Sequence, residues 1–253
     1  MKEVLLLSDG SIHSDRALRV AAKISRLAEV PLVLANVADV KAGVKVLVSG
    51  RFEEATESRE TEGNVYGEEI DAHGLNEQEL AQLINQRASS LLISGISDST
   101  TLCLHKILSR ITCPMLVLPE YHTFNGFKRI TYMADLRYCQ LPIVRYLANM
   151  AKDNDASVHI AHLPASGLPR MDENYALEVF NDGIRRYVKY DNLKFSNTTE
   201  RDLQKATDVI INTMKTDLLA LANHQYHFRE VLQGKLNGEA MNALRVPVLV
   251  FPG

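Results

Sequence analysis

Apolar residues along this chain gather in short continuous runs, separated by stretches with helical periodicity. Leu5-Leu6-Leu7, Leu32-Val33-Leu34-Ala35, Leu91-Leu92-Ile93 and Met115-Leu116-Val117-Leu118 are such runs. A strand covered on both faces of a sheet reads this way, because neither face needs polar residues. Over 13–28, apolar positions recur at Ala17, Ala21, Ile24 and Ala28, with Val20 and Leu27 beside them, which predicts one helix. Ser11 or Ser14 can cap it, and Asp15 suits the positive end of its dipole. Strand, helix, strand with parallel strands implies a right-handed crossover. Further helices are expected over 78–87, with Leu80, Leu83 and Ile84 on one side, and over 101–110. A third strand is expected within 65–72. Residues 38–65 are ambiguous: Val44, Val46 and Val48 alternate like a strand, whereas the acidic stretch 53–62 resembles a helix or loop.

The pattern then repeats. Val4-Leu5-Leu6-Leu7-Ser8-Asp9 returns as Ile130-Thr131-Tyr132-Met133-Ala134-Asp135, and Cys113-Pro114-Met115-Leu116-Val117-Leu118-Pro119 returns as Val246-Pro247-Val248-Leu249-Val250-Phe251-Pro252. Repetition of a first and a last strand predicts two copies of one domain. Residues 119–128 contain Pro, Asn and Gly without periodicity and read as the connection. The expected organisation is a first domain over 1–120, a linker over 121–128 and a second domain over 129–253. In the second copy, strands are expected over 130–133, 157–161, 193–196, 218–221 and 248–251, with helices near 141–152, 173–188, 200–214 and 235–244. Pro142 suits a first helical turn, where its missing N–H costs nothing. Strands alternating with helices give two tandem doubly wound α/β domains, each a five-stranded parallel sheet with helices on both faces.

At 253 residues, each copy is long enough to bury its own core. A net charge of −3 and a pI near 6.2 give no electrostatic reason to expect nucleic acid. No apolar run approaches the roughly 20 residues of a membrane span. The N-terminal run is too short for a secretion signal, so a cytoplasmic chain is expected. Cys103, Cys113 and Cys139 are odd in number and lack metal-ligand spacing; two sit in apolar stretches, which favours buried free thiols.

The opening Asp9-Gly10-Ser11-x-His13-Ser14-x-Arg16-Ala17-Leu18 resembles the start of a universal stress protein domain. The two closing strands after Cys113-Pro114 and Val246-Pro247 resemble that family's last strand, and His162 fits its pattern at the end of the second strand. The resemblance spans nearly the whole chain as a tandem pair and is weakest over 38–75. It implies an adenine-nucleotide α-hydrolase-like fold whose members pair through their last strands, so that a tandem chain can build the pair from its own halves. Further homodimerisation is compatible with it. It also implies an ATP site at the C-terminal ends of the strands. There the aspartate after the first strand (Asp9, Asp135) and the backbone after the second (Val37) hold adenosine. A loop G-x2-G-x9-G-S/T holds the phosphates, its glycines letting backbone N–H groups approach phosphate oxygens.

That loop departs from the family in both copies. In the first, Gly95 matches the first glycine, but Asp98 stands at the second and Thr101-Leu102 at the closing pair, only 6 steps on where the family needs 13. A carboxylate about 4 Å from a phosphate costs on the order of 1–4 kcal/mol. Asp9 and Asp135 are 126 positions apart, but Pro114 and Pro247 are 133 apart, and most of the difference falls in this loop. In the second copy Ala222 and Gln225 replace the first two glycines, and Gly234, followed by Lys235, stands for the third. The stretch Asn223-His224-Gln225-Tyr226-His227-Phe228-Arg229 reads as a bulky solvated loop, although His224, His227, Arg229 and Lys235 could attract an anion.

Asp9 and Asp135 each have two readings, a retained adenosine contact or an aspartate that caps the following turn. His224 and His227 have the spacing of helical metal ligands but lack a visible third, so surface histidines are expected. His159 and His162, an odd number apart, face opposite sides of a strand. Ser8, Ser11 and Ser14 lie near His13, but capping explains them without a nucleophile. Gly10 and Gly95 are expected in turns. The expectation is a non-catalytic stress-type protein without a bound cofactor, acting through contacts with an unidentified protein, with no nucleic acid or membrane partner. The alternative is a switch that holds ATP, AMP or another small ligand through Asp9, Val37 and Gly95 or through Asp135 and Gly234.

Overall fold

The computed structural model describes residues 2–38, 67–96, 102–120, 124, 126–198, 200 and 202–253. Val44, Val46, Val48, the acidic stretch 53–62, Asp98 and Thr101 lie outside the described residues. The first half contributes β1 (Val4–Ser8), β2 (Leu32–Asn36), β3 (Glu68–Asp71), β4 (Leu91–Gly95) and β5 (Met115–Leu118). The second contributes β6 (Arg129–Ala134), β7 (Ser157–His162), β8 (Leu193–Asn197), β9 (Leu218–Ala222) and β10 (Val248–Phe251). The two five-stranded sheets are joined edge to edge into one, in the order β3-β2-β1-β4-β5-β10-β9-β6-β7-β8. Read outward from the centre, each half has the same order. Every neighbouring pair is parallel except the central one, β5 with β10. There Val117, Leu116 and Met115 lie opposite Val248, Leu249 and Val250, all fully buried. Burial of each such side chain is worth roughly 1.5–3 kcal/mol, and pairing covers two strand edges that would otherwise be open.

Side chains alternate between two apolar layers. Val4 and Leu6 face one, Leu5 and Leu7 the other. The first layer is covered by α1 (Ile12–Leu27), through Ala17, Val20, Ala21 and Ile24, and by α4 (Leu141–Asp153) and α5 (Glu173–Phe180). The second is covered by α2 (Glu77–Arg87), α3 (Leu104–Leu108), α6 (Leu203–Asp208), α7 (Tyr226–Val231) and α8 (Gly238–Leu244). Both layers run across both halves. Across the seam, His105 of α3 stacks on Phe228 of α7 at 6.1 Å, and the Tyr146 hydroxyl of α4 donates to the Ser90 carbonyl at 3.5 Å. No described helix is long and apolar enough to cross a membrane.

Local chemistry sets the helix boundaries. Ser11 caps α1 by accepting the Ser14 N–H at 3.3 Å. Asn76 and Glu79 form a reciprocal capping box at the start of α2. Four boundaries differ from the sequence expectation. The helix expected over 101–110 is only Leu104–Leu108, and Cys103 offers it no side-chain cap. The helix expected over 173–188 is regular only to Phe180 and continues as a π turn, Asn181–Arg185. The one expected over 200–214 passes likewise into Val209–Thr213. The helix expected over 235–244 starts at Gly238, because Asn237 caps it by accepting the Ala240 N–H at 3.0 Å. Leu203, Ala206, Ile210 and Met214 recur at helical spacing; Ala206 and Ile210 are buried, with Leu203 and Met214 partly buried beside them.

Candidate functional site

In a doubly wound sheet, crevices form at the carboxyl ends of strands where neighbouring connections leave in opposite directions. Here these points lie beside β1 and β4 in the first half and beside β6 and β9 in the second.

In the first half, Asp9 follows β1 directly. Its carboxylate accepts the Ser11 N–H at 3.0 Å and the Ser14 hydroxyl, while its own N–H donates to Ser14 Oγ at 3.0 Å. Asp9 thus braces the entry to α1. Gly10, at φ +72°, makes the turn that the sequence predicts. The Val37 N–H donates to the Ser8 carbonyl at 2.9 Å, which continues the β1–β2 ladder. Gly95 does not sit in a turn. It ends β4, and a Cβ there would lie 3.0 Å from the His13 carbonyl oxygen and 3.4 Å from the Ala17 Cβ. It is a glycine because α1 crosses the strand closely. Near this crossing His13 Nε2 lies 3.5 Å from Glu120 Oε1, and Arg16 donates to the Glu120 carbonyl at 2.7 Å.

The second crevice is closed by side chains from three loops. Asp135 is buried at the end of β6 and caps the 3-10 turn Leu136–Tyr138. Its Oδ1 accepts the Arg137 N–H at 3.0 Å, and its Oδ2 accepts the Ala165 N–H, also at 3.0 Å. The Arg137 guanidinium reaches both oxygens, at 3.2 and 3.0 Å, and is anchored beyond them on the Pro169 carbonyl. His162, at the end of β7 and fully buried, accepts the Leu136 N–H on Nδ1 at 3.1 Å.

The third contribution corrects the sequence reading. Residues 223–229 are not a solvated loop. They lead into α7, and Gln225, His227 and Phe228 are buried. Gln225 Nε2 donates to the Tyr138 carbonyl at 3.0 Å and to the Tyr132 hydroxyl at 3.3 Å, tying the loop after β9 to the turn after β6. His227 Nε2 meets the Leu163 carbonyl at 2.8 Å, tying it to the loop after β7. His224 pairs with Gln140 at 2.8 Å, so the two histidines serve different contacts. His159 and His162 lie on opposite faces of β7, as their spacing predicts; among the described residues no three of His, Cys, Asp and Glu converge as metal ligands.

Burial pushes the His162 and His227 imidazoles down. The nearby Asp135 charge opposes this for both. Burial also pushes the Tyr132 phenol up and raises the Cys139 thiol to about 12.

Gly234 stands apart from Asp135. It lies in a turn at φ +65°, and a Cβ there would meet no atom within 4 Å. With Lys235 it borders a cleft of about 570 Å3 whose other wall is Ile96 and Leu102 to His105 from the first half. Thus the neighbour of Gly95 and the second half's glycine meet at one seam. Asp9 and Asp135 belong to different crevices. The extra length in the second copy is visible as α7, between β9 and α8.

Solved structures share this architecture over the whole chain. A functionally unknown protein, PA1789, from Pseudomonas aeruginosa PAO1 superposes with a TM-score of 0.65 at 14% identity, covering 100% of this chain and 92% of its own. A putative universal stress protein from Pseudomonas aeruginosa UCBPP-PA14 gives 0.66 at 16% identity, covering 100% and 93%. A universal stress protein from Archaeoglobus fulgidus DSM 4304 gives 0.56 at 14%, covering 99% and 96%. The fold is that of the universal stress proteins. No protein-family model matches the sequence, and no curated protein does. At these identities the likeness is one of fold. Within the universal stress fold, the signals missed in the sequence were Arg137, two residues after Asp135, and Phe228. Phe228 is followed by Val231 and Leu232 at helical spacing, and all three are buried.

Proposed function

We propose that this chain is a non-catalytic, cytoplasmic stress-type protein that has lost the ATP phosphate site of the family it resembles and works through protein contacts. Two units, 1–120 and 129–253, joined by 121–128, form an internal pair and serve as a rigid scaffold. One observation carries the reading. In the second crevice the aspartate that would meet adenosine is occupied by Arg137 and the Ala165 amide, and Gln225 and His227 fill the entry. A triphosphate would have to displace at least these hydrogen bonds, each worth roughly 0.5–1.5 kcal/mol net and more where charge is involved. In the first half, Asp9 is engaged at the head of α1 and the glycine loop is shortened. Among the exposed large apolar side chains, Tyr175, Leu177 and Tyr187 fall close together in the sequence and supply surface for a partner.

The second reading is a nucleotide switch. The seam cleft of about 570 Å3, bordered by Ile96, Gly234 and Lys235, is large enough for a small ligand and favours it. Thermal melting with and without ATP, ADP, AMP and adenosine separates the two. A ligand at 100-fold over its dissociation constant adds about 2.7 kcal/mol of stability. The proposed function predicts no shift with ATP; a saturable shift that Lys235→Ala removes would favour the seam switch.

A further inference from the structure

The network in the second crevice contains three buried polar atoms without a hydrogen-bond partner: His162 Nε2, His227 Nδ1 and Gln225 Oε1. Buried polar atoms are nearly always paired, so three orphans around one crevice, at the end of β7 and the start of α7, require an explanation. Their chemistry follows from the bonds that are made. His162 Nδ1 accepts an amide N–H, so in the neutral ring the proton sits on Nε2. His227 Nε2 faces a carbonyl, which only accepts, so its proton sits there and Nδ1 is bare. The crevice therefore holds one unpaired donor and two unpaired acceptors.

His162 Nδ1 also has a second partner within reach. Asp135 Oδ1 lies 4.0 Å away, just beyond hydrogen-bond distance, while the Leu136 amide is at 3.1 Å. The two partners suit opposite states. A bare Nδ1 binds the amide. A protonated Nδ1 meets that N–H donor to donor and is drawn to the carboxylate.

We propose that His162 is an acid-operated latch on the second crevice: neutral, it holds the Leu136 amide and keeps the turn Leu136–Tyr138 shut; protonated on Nδ1, it exchanges that amide for the Asp135 carboxylate and releases the turn. The turn is otherwise held by the Asp135 carboxylate at the Arg137 N–H and guanidinium, by the Asp135 carbonyl at the Tyr138 N–H (2.9 Å) and by Gln225 at the Tyr138 carbonyl. The carboxylate bonds are weakened when Asp135 is shared with an imidazolium. The charged and titratable groups acting on the ring are Asp135 after β6, Arg137 in the turn and His227 on α7. Asp135 favours the proton, while burial and Arg137 oppose it. His162 and His227 repel once charged, so the pair takes up a first proton more readily than a second. The latch rests on the reading that this crevice is closed at neutral pH, and it makes that closure conditional on pH.

The test uses the full chain, with histidine and backbone 15N labelling, from about pH 8 to about pH 5, the range in which histidine changes charge. Long-range 15N–1H spectra assign the tautomer of His162, and hydrogen exchange follows the Leu136 amide, corrected for the intrinsic pH dependence of exchange. The latch predicts the Nε2–H tautomer at the alkaline end. It also predicts a fall in Leu136 protection of about tenfold, the worth of one hydrogen bond, in step with His162 protonation. His162→Gln, whose carboxamide oxygen can accept from Leu136 but cannot titrate, should lose the pH step. An Nδ1–H tautomer would overturn the latch. So would Leu136 protection that does not change as His162 titrates, acid unfolding with His162 still neutral, or an equal pH step in the Gln variant. ATP binding at about pH 7.5 would instead strike at the closed-crevice reading, so the two failures are distinguishable.

Discussion

Gln225→Ala is the sharpest single perturbation of the closed crevice. Gln225 is 7% exposed and bridges two loops, donating to the Tyr138 carbonyl and the Tyr132 hydroxyl. Truncation removes both bonds. Tyr138 is 57% exposed, so water can reach its carbonyl region and recover part of that loss. Tyr132 is fully buried, but its hydroxyl also meets the backbone of Gln140, so it is not left bare. The wild-type side chain already leaves Oε1 unpaired, and removing that atom relieves a penalty. Two neutral hydrogen bonds at roughly 0.5–1.5 kcal/mol each, less this relief, give a destabilisation of about 1–2 kcal/mol. For a chain of this size that is a fall in Tm of about 3–6 °C. Urea unfolding followed by circular dichroism measures it, with an unchanged m-value as the sign that only the native state was altered. A change below about 0.5 kcal/mol, within the range of ordinary surface substitutions, would refute the bridging role.

Three further outcomes follow from the same geometry. Gly95→Ala should cost about 1–3 kcal/mol in the same urea assay, because the new Cβ forces α1 away from β4 at the His13 carbonyl; a neutral result would mean that Gly95 is not there for close packing. His159, His162 and His227 are all pushed below the ordinary histidine value by burial, so the folded state resists protons that the unfolded chain accepts. Stability should then be full above about pH 6.5 and fall progressively below it, and a flat profile of unfolding free energy from about pH 7 to about pH 5 would contradict this. Cys103 is exposed, whereas burial raises Cys113 to about 11 and Cys139 to about 12, so an aromatic disulfide reagent should modify one thiol in the native protein and all three in denaturant.

How much of this was legible in the chain depended on what held each part together. Leu5-Leu6-Leu7 and Val248-Leu249-Val250-Phe251 read correctly because a strand buried on both faces has nothing but apolar residues to show. The edge strand Glu68–Asp71 falls inside the expected 65–72, although its acidic, largely exposed residues follow no burial pattern that would fix its ends. The helix Tyr226–Val231 was hidden by His227 and Gln225, which look solvated but are buried because their polar atoms meet Leu163, Tyr132 and Tyr138. Hydrogen bonding between loops distant in sequence leaves no periodic trace. Gly95 was misplaced for a related reason: a glycine letter does not distinguish a turn from a close approach of helix to strand. The π turns at Asn181–Arg185 and Val209–Thr213 keep a helical apolar stripe, so periodicity ran straight through them.

Isothermal titration of the full chain with Mg–ATP at neutral pH bears most directly on the loss of the phosphate site. Filled and engaged crevices predict no saturable heat at ligand concentrations up to about 1 mM, the weak end of the affinity scale. A stoichiometric isotherm with a dissociation constant of about 1 μM, some 8 kcal/mol of binding free energy, would contradict the account.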